Sequence, residues 1–455
     1  MRPPVNPPGA RALALEVLAG SRRRGASVED LLHAARRRHP GLSRREGAFL
    51  LELVQGVKRW EIRLDWTLAQ VSHLPLGKLH PLVLNILRLA AFQILFLDRV
   101  PARAAVNEAG ILARAHRLPE AHVSFINGAL RTLAAGDLPP LPDPARDPVL
   151  ALSVAQAHPP WLVKRWLARL GFEETQARLA ANNRLPPLTI RVNTLKTTRE
   201  ALRTRLAGEG AEARACRFSL AGLELAAVPQ SPLDLPSYRE GLWLFQDEAA
   251  QLVTFLLALK PGARVLELGA GRGGKTTHLT EILQDRGLIA AVDYHRRRLL
   301  ELKAILRRWG VSAAQSLRAD AAANLPVKAG TVDAVLVDAP CSALGILRRH
   351  PEIKTRLTEA DLATFPPRQE AMLAAAARAL KPGGHLLYVT CTTEPGENEE
   401  VVQAFLARHR EFRLATDPAR LPPPARDLVT PPGYFRSSPK DHNLDAFFAA
   451  VLAKK

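Results

Sequence analysis

Residues 264–282 read RVLELGAGRGGKTTHLTEI: an apolar strand, four glycines within six positions, then a helical pattern. A strand that turns this sharply into a helix commits the chain to a βα unit, because the missing Cβ of glycine is what lets the backbone reverse there. The rhythm continues beyond it. GLIAAVD, TVDAVLVDA and GHLLYVTC are short apolar runs, and LLELKAILRRW, PPRQEAMLAAAARALK and ENEEVVQAFLARH carry apolar residues at three- and four-residue spacing. Strands apolar on both faces, alternating with amphipathic helices, predict a doubly wound parallel α/β sheet over residues 240–455. LDAFFAAVLAKK reads as an edge strand closing it, and the Pro-rich DPARLPPPARDLVTPPG as an insertion over one end.

The chain ahead of that sheet has a different period. Residues 1–136 read as all helix, in segments such as EGAFLLELVQGVKRW, HPLVLNILRLAAFQILFL and VSFINGALRTLAAG. Ser27, Ser43 and Pro101 sit where helices should begin. DLPPLPDPARDPVL, residues 137–150, is a Pro-rich linker. Residues 151–239 open with a helical pair and continue through LTIRVNTLKTTREAL, a strand, polar turn and helix. With GLELAAV and GLWLFQDEA this predicts a small α+β module. The chain is therefore multi-domain.

Net charge decides which partners are open to it. A formal charge of +19 and a pI near 10.6 attract phosphate polymers, and Arg22–Arg24 and Arg36–Arg38 are candidate phosphate contacts. No apolar run approaches the roughly 20 residues of a bilayer span, and the first residues lack the apolar core of a secretory signal. Three cysteines, Cys216, Cys341 and Cys391, form neither a disulfide framework nor a metal site. A cytoplasmic protein with reduced thiols is expected, with no metal, no membrane and nothing that demands more than a monomer.

What the glycine turn holds is not decided by the turn alone. Glu267, Gly269, Gly271 and Gly273 fit the E/D-x-G-x-G-x-G turn of class I S-adenosylmethionine-dependent methyltransferases, yet Gly269 to Thr276 also matches the literal phosphate-loop pattern. The later acids favour the first reading. Asp293 ends the next strand, where a ribose-binding acid belongs, and Asp320 follows the third, placed for an adenine amine. VLVDAP is the one segment that can serve a magnesium site, and it keeps the nucleotide hydrolase open as an alternative.

Cys341, in DAPCSALG, and Cys391, in VTCTTEPGENEE, both follow strands that should be neighbours, so both loops face one crevice. A lone cysteine is ordinarily a small buried hydrophobe, which suits Cys216. A pair beside a cofactor crevice suits pyrimidine chemistry instead. C5 of cytosine is a poor nucleophile, and thiolate attack at C6 makes it an enamine carbon able to take a methyl group. Lys275 is a candidate to lower the thiol pKa.

These segments, DAPCSALGILRRHPEIK, YVTCTTEPGENEEVV, GGKTTHL and RVNTLKT, resemble the RNA cytosine-5 methyltransferase family. GVKRWEIRLDWTL, LRLAAFQILFLDRVPARAAVNEA and FINGALR resemble the RNA-binding NusB fold. The pairing is similar to the bacterial enzymes that act on small-subunit ribosomal RNA. The resemblance implies S-adenosyl-L-methionine as cofactor, RNA as partner, Cys391 as nucleophile and Cys341 as the thiol that assists release. It also implies Asp338 at the target base with Lys275 beside it. Gly269, Ala270, Gly271, Arg272, Gly273, Gly274 and Lys275 would hold the methionine part, with Asp293, Asp320 and Asp338 lining the rest. IRVNTLKT, Arg348, Arg349 and His350 are the expected RNA clamps. The family's usual Asp-Leu-Cys-Ala-Ala-Pro-Gly-Gly-Lys stands here as Glu267-Leu-Gly-Ala-Gly-Arg-Gly-Gly-Lys275, which leaves Arg272 without a counterpart. That altered loop keeps a retired RNA-binding protein open as a second reading. DNA cytosine methyltransferases carry their nucleophile after Pro, as at Pro340-Cys341, so the thiol roles can also be exchanged.

Overall fold

The computed structural model describes residues 9–21, 27–136, 138–228, 231–323 and 325–455. They form two compact units: Met1–Arg184 with Leu347–Thr358, and Leu185–Ile346 with Glu359–Lys455.

The first unit is helical: α1 (Ala10–Gly20), α2 (Val28–Arg38), α3 (Arg44–Val71), α4 (Pro81–Phe96), α5 (Ala102–Ala115), α6 (Glu120–Ala135), α7 (Pro148–Gln156), α8 (Pro160–Leu170) and α9 (Phe172–Asn183). The capping residues do what the sequence predicts. Ser27 and Ser43 accept from the backbone N–H of Asp30 and Glu46, satisfying donors the first turn leaves free. Gly56 lets α3 meet α4: a Cβ there would stand 2.0 Å from the Phe92 ring. Around that crossing Leu53, Val57, Ile86, Leu87 and Leu130 form a dry core. The basic triplets fare differently. Arg22–Arg24 lie outside the described residues. Arg36 is half-buried and donates to the Gly47 carbonyl, and Arg38 pairs with Glu16 at 2.5 Å, so both are committed within the unit.

The second unit begins with a four-stranded antiparallel sheet in the order β2-β3-β1-β4, built from β1 (Thr189–Val192), α10 (Arg199–Gly208), β2 (Glu212–Ala215), β3 (Gly222–Ala227), α11 (Pro236–Arg239) and β4 (Trp243–Phe245). Ile190, Val192, Leu202, Leu223 and Trp243 fill its core. After α12 (Glu248–Leu252) comes the large sheet. Its first elements are β5 (Arg264–Leu268), α13 (Gly274–Ile282), β6 (Leu288–Asp293), α14 (Arg296–Trp309), β7 (Ala314–Arg318) and β8 (Val332–Asp338).

Beyond β8 the chain passes into the helical unit for residues 347–358, which include the short α15 (Ile353–Arg356). It returns as α16 (Phe365–Ala379), β9 (Leu380–Thr390), α17 (Glu399–Arg408), β10 (Phe412–Leu414), β11 (Val429–Thr430), β12 (Tyr434–Arg436) and β13 (Phe448–Lys454). The strand order is β11-β12-β13-β9-β8-β5-β6-β7, with β5 to β9 parallel and β13 antiparallel to β9. Successive strands run outward on both sides of β5 and β8, so the switch point, and the crevice that goes with it, lies at their carboxyl ends.

β13 is not the edge strand expected of it. Phe448 to Lys454 pair with β9 on one side and with β12 and β10 on the other. Phe448–Ala453 are buried without a break, the mark of a strand covered on both faces rather than of an edge.

Candidate active site

At the end of β5 the backbone turns through Gly269, Gly271 and Gly273, with φ of +82°, +57° and +89°. These are left-handed conformations that a side chain would strain. Gly269 is also a close approach, since a Cβ there would stand 2.3 Å from the Asp338 carbonyl oxygen. The Gly269 and Ala270 N–H groups both donate to Val292 O at 2.9 Å, which ties the turn to β6. Asp293, at the end of β6, accepts from Gly271 N at 3.0 Å and from His295 N at 2.7 Å, so its carboxylate is fixed at the mouth of the turn.

Glu267 lies under the turn. It is 1 % exposed, its Oε2 has no hydrogen-bond partner in the protein, and burial pushes its pKa up to about 8. Arg272, which had no interpretable counterpart, ion-pairs with Glu301 of α14 at 2.9 Å. Asp320 stands two residues past β7, accepts from Ala322 N and faces Arg368 at 3.4 Å.

The catalytic candidates meet at the carboxyl ends of β8 and β9. Lys275 donates to Asp338 Oδ2 at 2.7 Å and sits 5.4 Å from the centre of the Phe447 ring. Burial works against the Lys275 charge, but Asp338 outweighs it and the ammonium pKa is raised. The Cys341 and Cys391 sulfurs are 3.5 Å apart. The hydrogen bond shared with Cys341, then burial and the charges of Cys341 and Asp338, push the Cys391 thiol well above its ordinary range, against a pull from Lys275. At rest Cys391 is a thiol. Cys216 is elsewhere, in the small module against Gly222, and is partly exposed.

One of the acids after Cys391, Glu397, turns out to be scaffolding. Glu397 accepts from Ser342 N at 2.8 Å, from Gln369 Nε2 at 3.2 Å and from the Thr392 hydroxyl at 3.3 Å. Ser342 and Thr392 share a 2.7 Å hydrogen bond, and Asn398 accepts from Thr390 and donates to Thr392 O. One buried carboxylate thus holds both cysteine loops in register. Sequence reasoning missed Glu397; its only signal was a carboxylate six residues after a cysteine.

Two expected RNA clamps are corrected at their buried residues, while Lys196 stays exposed and Arg349 and His350 partly so. In IRVNTLKT, Arg191 and Asn193 are each 0 % exposed and engage α13 and α14 of their own unit. In LRRHPEIK, Arg348 is 1 % exposed and its carbonyl accepts from Arg59, while Lys354 is buried with its ammonium on Arg59 O and Asn183 Oδ1. His350 lies 3.6 Å from Glu352.

A switch-point crevice of this kind, carrying a glycine turn and an acid at the end of the next strand, defines a class I methyltransferase domain. The residues fit S-adenosylmethionine: a buried carboxyl with one oxygen, Glu267 Oε2, left without a partner, a cradle with no room for a Cβ at 269, and an acid fixed at the end of the next strand. Models of three families match the chain: the 16S rRNA methyltransferase RsmB/F family over residues 254–453, the NusB family over 8–135, and the RsmF/B-like ferredoxin-like domain over 158–230. The probable ribosomal RNA small subunit methyltransferase B of Synechocystis is 34% identical over 98% of this chain and 99% of its own. The ribosomal RNA small subunit methyltransferase B of Pseudomonas putida is 37% identical over 98% and 97%. Among solved structures, the crystal structure of PH0851 covers all of both chains with a TM-score of 0.83 at 27% identity. A methyltransferase homologue from Pyrococcus horikoshii covers 68% of this chain and 99% of its own, with a TM-score of 0.57 at 27% identity. The chain belongs to the 16S rRNA methyltransferase RsmB/F family and is an S-adenosylmethionine-dependent methyltransferase. The nucleotide hydrolase and retired-protein readings fall with that finding.

Proposed function

We propose that the protein methylates C5 of a cytosine in small-subunit ribosomal RNA, with Cys391 as the nucleophile. The observation that carries this reading is the pair of sulfurs 3.5 Å apart, with the charges of Lys275 and Asp338 acting on Cys391. Cys391 gives its proton to solvent and its sulfur bonds to C6, which moves the C5=C6 electron pair onto C5. Asp338, held by Lys275, contacts the pyrimidine edge and favours its N3-protonated form, which draws electrons from C6. The cofactor, when bound, supplies the electrophilic methyl that C5 then requires. Cys341, having given its own proton to solvent, takes the proton from C5; the C5–H electron pair restores C5=C6 and the sulfur–C6 bond breaks, returning Cys391 as a thiolate. Gly269, Ala270, Gly271, Arg272, Gly273, Gly274 and Lys275 line the methionine side, with Asp293 at the ribose and Asp320 at the adenine. The target base must leave its stack to enter such a crevice. The reading extends to a cytoplasmic monomer; no helix among the described residues is long and apolar enough to cross a membrane.

The test uses 5-fluorocytidine-substituted small-subunit ribosomal RNA, because fluorine at C5 cannot leave as a proton does and the sulfur–C6 adduct is trapped. Cys391→Ala should abolish the adduct and Cys341→Ala should retain it. The opposite pattern would exchange the two thiols, and no adduct with the wild type and bound cofactor would overturn the substrate.

A further inference from the structure

The buried RVN segment raises a question that an RNA clamp does not answer, because Arg191 has no surface with which to touch RNA. Its guanidinium leaves β1 of the small module and enters the first turn of α13. It donates to the Gly274 carbonyl at 2.7 Å, to Thr277 Oγ1 at 2.7 Å, to Glu281 Oε1 at 2.9 and 3.2 Å, and to Gln246 Oε1. Thr277 passes its own proton to the Gly273 and Gly274 carbonyls, 2.8 and 3.1 Å away. Glu281 is shared with the Thr194 hydroxyl and the Trp309 indole. Four of these five contacts therefore end on the helix that begins at the glycine turn, and the fifth ends on Gln246, just past β4. A fully buried ion pair is a poor way to add stability, since desolvation consumes most of its attraction; what it fixes well is geometry. Only a planar fork can reach all of these acceptors together.

We propose that Arg191 is a positioning residue for the cofactor turn: through Gly274 and Thr277 it sets the backbone that carries Gly273 and Lys275. The small module thereby fixes the cofactor site from behind as well as adjoining it in sequence. This deepens the methyltransferase reading and rests on it. Asn193 supplies the contrast. It is equally buried and joins the module to the same domain through Trp309 O, its other bond going to Gly241 O within the module, and it does not touch the turn.

The experiment compares Arg191→Lys, Thr277→Val, the double variant and Asn193→Ala with the wild type in the full chain. Three quantities are read: S-adenosylmethionine Kd by calorimetry, ribosomal RNA Kd by anisotropy without cofactor, and Tm. Misplacing the turn should raise the S-adenosylmethionine Kd by about tenfold or more in Arg191→Lys and in Thr277→Val, with RNA Kd unchanged. The double variant should show less than the product of the two effects, because both act on one turn. Asn193→Ala should lower Tm and leave both Kd values alone. Thr277→Val is nearly isosteric and uncharged, so it carries the test even if Arg191→Lys does not fold. A wild-type Kd in Thr277→Val overturns the proposal. So does a pattern in which Arg191→Lys and Asn193→Ala lower Tm alike with cofactor Kd unchanged, or one in which only RNA Kd moves. Absence of S-adenosylmethionine binding by the wild type would instead refute the reading beneath it.

Discussion

Cys391 is kept protonated by its neighbour. The Cys341 hydrogen bond is the largest influence raising its pKa, ahead of burial and the Asp338 charge. Attack needs the thiolate, so adduct formation with 5-fluorocytidine RNA should climb about tenfold per pH unit from neutral into alkaline solution. Cys341→Ala removes the largest raising influence, and its curve should be displaced to lower pH; an unmoved curve would detach the two thiols. Glu267 gives a second pH signature, in stability. Its folded pKa is about 8, against an ordinary glutamate value of 4.5. Between those values the unfolded chain releases the proton and the folded chain keeps it, so stability falls as pH rises through that window and levels off above it. The slope approaches about 1.4 kcal/mol per pH unit for one such group. Glu267→Gln keeps the neutral shape, so its Tm should gain on the wild type steadily from pH 5 to pH 8. A constant difference would mean that Glu267 is already ionised.

Loops rather than strands set the distance between the two sulfurs, and Glu397 joins those loops. Glu397→Ala strands the Ser342 N–H, at about 1–3 kcal/mol for a buried donor left unmade, and leaves the Gln369 amide only Pro340 O. A shift of the loops by a fraction of an ångström should cost about a hundredfold in single-turnover rate, while S-adenosylmethionine and RNA binding persist. Equal losses in binding and rate would assign Glu397 to the fold as a whole. The strands and helices themselves were legible, because the period of two or 3.6 is written locally, and so are caps such as Ser27 and Ser43. Asp293, Asp338 and both cysteines were legible for a related reason: in a parallel sheet, the end of a strand is already a place in the site. Partnership was not legible. Arg191 meets Glu281 across 90 residues and Glu397 meets Ser342 across 55, and no local pattern announces either. The interior place of β13 depends on β10 and β12, whose three-residue lengths give almost no signal.

A formal charge of +19 overstates what the whole molecule can offer to RNA. Arg59, Arg88, Arg191, Arg348 and Lys354 are buried, and Arg38 is paired. Only cations that reach phosphates release counterions, so the salt dependence of RNA affinity counts those in contact rather than those in the sequence. For single-stranded RNA each such contact adds about 0.7 to the slope of log Kd against log salt concentration. Arg348 is the discriminating residue, since LRRHPEIK looks like a phosphate grip and the structure seals this arginine inside the helical unit. Arg348→Gln should lower Tm, because it disturbs a buried site, and leave the salt slope where it was. Anisotropy titrations of a ribosomal RNA fragment over a range of salt concentrations measure that slope directly. A slope reduced by about 0.7 would mean that Arg348 comes out to meet a phosphate, and that residues 347–358 leave their seat when RNA binds.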